Sequence, residues 1–192
     1  MATSPKIEQT NWTVEDYMNL DDDNRYEVLR GTLMMVPSPN MSHQRVITRL
    51  GTLIDIHVME NGLGECFDAP FDVVLSENTV LQPDFTYVTH ERLEQLEDGH
   101  TITGAPNLVI EVLSPSTQKR DRHKKRDIYA EAGVEWLILV EPDAHVVEVH
   151  KLSDAGTYEV TRTAAEDDTL TFGLFPDLEI DLSDVWMQTS SE

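Results

Sequence analysis

Apolar side chains return every three or four positions through "MSHQRVITRLGTLIDIHVMENG": Val46, Leu50, Leu53 and Ile54, with His57 on the same stripe and Gly62 at its end. That period predicts an amphipathic helix with a glycine stop. "LVIEVL" follows a period of two instead, with Leu108, Ile110 and Val112 on one face and Val109, Glu111 and Leu113 on the other. "WLILV" is apolar throughout, which predicts an interior strand at a sheet centre. "NWTVEDYMNL" reads as a short helix capped by Thr13, with Asp16 three positions later. "RYEVLRGTLMM" reads as strand, tight turn at Gly31, and strand, and a proline stop follows. "ECFDAPFDVVLS" and "VLQPDFTYVT" predict two further strands joined by a turn around "ENT". "HERLEQLEDGH" is a polar excursion with a turn or two of helix, and "TQKRDRHKKRDIYAEAGV" is a helix closed by Gly133. "HVVEVHKLSDAGTYEVTRTA" predicts a hairpin, and "LTFGLFPDLEIDLSDVW" more strands.

Helices interleaved with strands inside a β-rich envelope predict a mixed α/β (α+β) fold, a central mixed sheet with helices on its faces. The 192 residues suffice for one substantial core. The reading is one domain over 12–187, a disordered or extended arm over 1–11 and a frayed tail over 188–192. No apolar run approaches a membrane span, and "MATSPKIEQTNW" has no signal-peptide core. Cys66 is the only cysteine, which excludes a disulfide framework or cysteine-metal cluster and makes a reducing cytoplasm the expected location.

The net charge of −22 changes the picture, because it argues against casual binding to nucleic acid or an anionic membrane. Its distribution is uneven. Six of the fourteen Lys and Arg residues fall within "KRDRHKKR", residues 119–126. Cations in the first turns of a helix oppose its dipole, so helix stability alone would not choose them. An anionic ligand would favour both the basic side chains and the helix N-terminus. The plain alternative is a solvated helix face with an Asp121–Lys125 ion pair.

Candidate chemistry starts from Glu111, a carboxylate in an otherwise apolar strand, where a lone charge costs several kcal/mol unless paired, protonated or bound to a cation. Pro83 ends regular pairing just before Asp84. If the two strands are neighbours, Asp84 and Glu111 can meet, and a hard cation such as Mg²⁺ or Mn²⁺ would let both stay ionised. Asp121, Lys125 and Tyr129 are spaced to share one helix face.

"QPDFTYV", "GAPNLVIEVLSPST" and "DRHKKRDIYAEAGVEWLILVEP", in this order, resemble the PD-(D/E)xK nuclease superfamily, and more closely the Uma-two type restriction endonuclease family. The resemblance extends through "RYEVLRGTLMMVPSPNMSHQ", "VVEVHKL" and "LFPDLEIDL", roughly residues 12–185. It implies a restriction-endonuclease-like core with extra N- and C-terminal strands and metal-dependent cleavage of DNA. Asp84 matches the aspartate of the PD motif and Glu111 the acid of the third strand. The superfamily's lysine two positions after that acid is Leu113 here, and Lys125 on the following helix matches the displaced lysine of this family. On this reading Asp84, Glu111 and the Val112 carbonyl hold the metal, Lys125 assists attack, and Lys119, Arg120, Arg122, Lys124 and Arg126 contact phosphates. Glu27, His43, Asp72 and Tyr129 are accessory candidates, each with an ordinary structural role as its alternative. Ser114 and Ser116 read as turn-shaping residues. The resemblance also suggests a homodimer, which suits double-strand cleavage.

A second "PD", Pro176–Asp177, has too little chain after it to complete a site, so Asp177 and Glu179 read as the solvent face of an edge strand. The histidines show no zinc-ligand spacing. The competing function is a catalytically silent interaction or nucleic-acid-binding module that keeps the fold, which the net charge favours. A glycosidase built on the two acids lacks an aromatic sugar platform beside them.

Overall fold

The PSPN segment ahead of the long helix shows how closely local chemistry sets the architecture. Asn40 Oδ1 accepts the His43 backbone N–H at 2.8 Å and so caps the helix Met41–Asn61, which left-handed Gly62 (φ 59°) closes. The computed structural model describes residues 10–21, 24–94, 101–113 and 121–186, with the side chains of 121 and 122 outside that description. Most of the proposed arm, residues 1–9, and all of the proposed tail, 188–192, likewise lie outside the described residues.

In chain order, α1 is Val14–Met18, with the Thr13–Asp16 capping box complete; β1 is Tyr26–Leu29 and β2 is Thr32–Met35. The long helix is α2, followed by β3 (Gly64–Asp68), β4 (Val73–Ser76), β5 (Thr79–Leu81) and β6 (Phe85–Thr89). Next come α3 (His90–Leu93), β7 (Ile102–Thr103) and β8 (Leu108–Val112). A π-helical turn, Asp121–Lys125, runs into α4 (Arg126–Ala132), closed by Gly133 at φ 85°. Then follow β9 (Trp136–Glu141), β10 (Val146–Leu152), β11 (Tyr158–Ala165), β12 (Thr169–Phe172) and β13 (Phe175–Asp181).

Two predicted strands are corrected. "ECFDAPFDVVLS" splits into β3 and β4, and "VLQPDFTYVT" into β5 and β6, with the halves in different sheets. Pro70 and Pro83 lie in the breaks, where a missing N–H interrupts the ladder. Among the described residues β3 and β6 join a six-stranded sheet, β11-β10-β9-β8-β6-β3, while β4 and β5 join a five-stranded one, β2-β1-β5-β4-β7. The short β7, parallel to β4, has no counterpart among the predicted elements.

In the six-stranded sheet only β8 and β9 run parallel, joined through α4, so the β8–α4–β9 segment is a crossover inside an otherwise antiparallel sheet. β9 is interior, as its apolar run predicts. The alternation in β8 separates two cores. Leu108, Ile110 and Val112 join α2, β13 and Trp186 on one face. Val109 and Leu113 join Ile128, Tyr129, Leu137 and Leu139 on the other, together with Leu29 and Leu81 from the five-stranded sheet. α2 approaches the sheet through Gly51, where a Cβ would stand 2.9 Å from the Phe85 ring. Asp177 and Glu179 are exposed on β13, as expected. Among the described residues no helix is long and apolar enough to cross a membrane.

Candidate active site

Register brings the acids together. β6 pairs antiparallel with β8, and their register ends at Phe85↔Ile110, so Asp84 and Glu111 each lie one residue beyond the last pair. Asp84 does not continue the strand, because Pro83 has already broken it. Its Oδ2 instead accepts the Val112 backbone N–H at 2.7 Å and lies 3.1 Å from His43 Nε2. The α2 cap is thus made by Asn40, while the His43 side chain turns to Asp84.

The charge of Glu111 is answered on its own face of β8. Lys125 Nζ lies 3.0 Å from Oε1 and 3.1 Å from Oε2, and Tyr129 donates its hydroxyl to Oε1 at 2.5 Å. Lys125 and Tyr129 are four apart, so one helix face delivers both donors. β1 contributes a second acid: Glu27 Oε1 stands 2.8 Å from the same ammonium and also accepts the Gln82 backbone N–H at 3.0 Å. Glu27, Glu111 and Lys125 are 1%, 4% and 4% exposed. A solvated basic face is therefore the wrong description of Lys125, whose charge is buried against two carboxylates.

These groups line one cleft of about 260 Å³, whose walls include Glu27, His43, Asp84, Glu111, Val112 and Lys125. Four other predicted positions fall elsewhere. Asp72 accepts from Tyr17 Oη at 2.8 Å and Gln82 Nε2 at 2.9 Å, behind the cleft wall. Burial and the aspartate hold the Tyr17 phenol well above its ordinary range. Arg126 donates to the Tyr158 carbonyl at 3.0 Å, tying α4 to β11, and Lys124 is exposed outside the cleft lining. Tyr129 lies beneath the cleft as a buried core residue whose hydroxyl reaches Glu111. Lys119, Arg120, Ser114 and Ser116, and the side chains of Asp121 and Arg122, lie outside the described residues.

Arg25, Gln82 and Asp68 are among the cleft residues absent from the candidates that the sequence suggested. Arg25 Nε donates to Gln82 Oε1 at 3.0 Å. A usable signal existed, since Arg25 precedes Glu27, and Gln82 precedes Asp84, by two residues, the step that keeps side chains on one side of an extended chain. Asp68 is pushed upward from the usual carboxylate range by burial, with Asp55 adding repulsion.

The donor set suits a hard cation. Asp84 takes both of these side-chain contacts on Oδ2, and Glu27 Oε2 is buried without a hydrogen-bond partner. His43 Nδ1 is a second buried atom without one. Among the described residues no three His, Cys, Asp or Glu side chains form a complete metal cage.

A mixed sheet with a crossover helix thus presents two acids and a lysine at one cleft. The fold is matched by the crystal structure of "a putative nuclease belonging to DUF820" from Anabaena variabilis, with a TM-score of 0.75 and 19% identity, covering 91% of this chain and 97% of that one. The chain belongs to the Uma2 family, described as "Putative restriction endonuclease", whose pattern matches residues 14–183. It is also similar to the uncharacterized protein slr1290 of Synechocystis sp., 26% identical over 174 residues, 87% of this chain and 88% of that protein.

Proposed function

We propose that this chain is a divalent-metal-dependent endonuclease that hydrolyses phosphodiester bonds of DNA. The observation that carries the reading is the convergence of Asp84, Glu111 and Lys125 on one cleft, from three separate segments of the chain. Asp84, Glu111 and the Val112 carbonyl would hold Mg²⁺ or Mn²⁺. Bound there, the ion would supply Lewis-acid polarisation of the phosphoryl oxygen and a water of lowered pKa. Lys125 would orient the attacking water and offset charge developing on the phosphoryl oxygens. Tyr129 and Glu27 would fix the lysine and Glu111 in their relative positions, and His43 would hold Asp84. Lys124, together with Lys119, Arg120 and Arg122, would position phosphates without reading sequence. Paired copies in a homodimer would suit cleavage of both strands.

The silent module remains the second reading, favoured by an ammonium already engaged by two carboxylates and by the net charge of −22. Incubating supercoiled plasmid with Mg²⁺ or Mn²⁺ separates them. The nuclease reading expects nicking by the wild type and a loss of about 100-fold or more in Asp84→Ala and Lys125→Ala. Equal nicking by all three proteins would assign the activity to a contaminant.

A further inference from the structure

Among the described residues, a polyanion entering this cleft meets four acidic side chains, Glu27, Asp68, Asp84 and Glu111, against two cations, Lys125 and Arg25. Lys125 is buried and engaged by Glu27 and Glu111. Arg25 is different. It is partly exposed, and its Nε donates to the neutral amide oxygen of Gln82. That bond orients the guanidinium without cancelling its charge. Gln82 is held in turn, because its Nε2 donates to Asp72 Oδ1 at 2.9 Å and Tyr17 Oη at 3.3 Å, while its backbone N–H is fixed to Glu27. Among the described residues the Arg25 Nη groups have no hydrogen-bond partner, so the chain Asp72–Gln82–Arg25 presents an arginine with donors to offer a ligand.

A planar fork held in this way matches two oxygens of a phosphate better than an ammonium does. Among the described residues the rest of the cleft lining supplies neutral polar groups from Ser38, Asn40, Gln44 and Thr48. We infer that Arg25 seats a phosphodiester of the DNA strand beside the one lying over Asp84 and Glu111, with Gln82 as its positioning residue. This inference rests on the nuclease reading and names how that site holds its substrate. Asp72 then acts at one remove, orienting through Gln82 a residue that touches the strand.

The test is equilibrium binding of a fluorescent duplex oligonucleotide, in Ca²⁺ to limit cleavage, over a salt series. Arg25→Gln should weaken binding about tenfold and flatten the log–log salt slope by about one phosphate contact. Arg25→Lys should keep the slope while losing part of the affinity, and Gln82→Ala should weaken binding with the slope retained. Arg45→Gln, a charge-matched change outside the cleft lining, should alter both less. Unchanged affinity and slope in Arg25→Gln, or an equal effect from Arg45→Gln, would overturn the inference while leaving the nuclease reading standing. Plasmid cleavage by the wild type distinguishes the remaining case. If the wild type neither binds the duplex nor cuts plasmid, both fall.

Discussion

Lys125 and Glu111 form a buried pair in which one ammonium lies 3.0 and 3.1 Å from the two oxygens of one carboxylate. The pair joins β8 to the end of the π-helical turn, and Glu27 approaches the same nitrogen from the five-stranded sheet. Two sheets and a helix thus meet at a single positive charge. Burial of ions this deep stabilises little in itself, but losing one partner strands the other in an apolar face.

Lys125→Met should therefore destabilise the fold by about 3–5 kcal/mol, measured by urea unfolding at neutral pH. Adding Glu111→Gln to that variant should recover part of the loss, because the stranded charge is removed. If the double variant is less stable than Lys125→Met, Glu111 is not the charge that the lysine neutralises.

Gly51→Ala tests the seating of α2 on the sheet. The added Cβ would stand 2.9 Å from Phe85 Cδ2, and Phe85 follows Asp84 directly. Overpacking of this kind costs about 1–3 kcal/mol. Thermal unfolding should show that loss, and metal-dependent nicking should fall more than in an equally destabilised variant remote from the cleft.

Two aspartates should give opposite pH signatures. Asp68 has its folded pKa raised by burial and by Asp55, so the folded state binds the proton more tightly. Its contribution is most favourable below the ordinary aspartate pKa and declines as pH rises through the raised one. Asp68→Asn should accordingly gain stability over the wild type as pH rises through that window. Asp16 is lowered by its bonds from the Thr13 backbone and side chain, so its contribution is present above the ordinary value and lost as pH falls through the lowered one. Asp16→Asn should be less stable than the wild type at neutral pH, with the difference closing in acid. Denaturant midpoints collected from acid to neutral pH would show whether the two differences run in these directions.

Local patterns carried much of this architecture. The period of two in "LVIEVL" divided β8 between the two cores as observed, and the Thr13–Asp16 spacing marked a capping box that is present. The two proline breaks were harder, because a proline inside an apolar run does not say whether the strand bends within its sheet or changes sheets. That choice depends on partners distant in sequence, and here it set β5 beside β1, so that Glu27 and Gln82 meet. That Asp84, Glu111 and Lys125 share one cleft was legible from their motifs. The Arg25–Gln82–Asp72 chain was only half legible, since the two-residue steps from Arg25 to Glu27 and from Gln82 to Asp84 mark neighbours along the chain but do not say that the three segments meet.

A divalent ion shared by Asp84 and Glu111 beside Lys125 is what the nuclease reading requires above all. Calorimetric titration with Mn²⁺ tests for it without relying on turnover. The account predicts one ion bound per wild-type chain, and affinity reduced at least about tenfold in both Asp84→Asn and Glu111→Gln with the fold retained. Absence of Mn²⁺ binding by the wild type, or undiminished binding by the two variants, would contradict it.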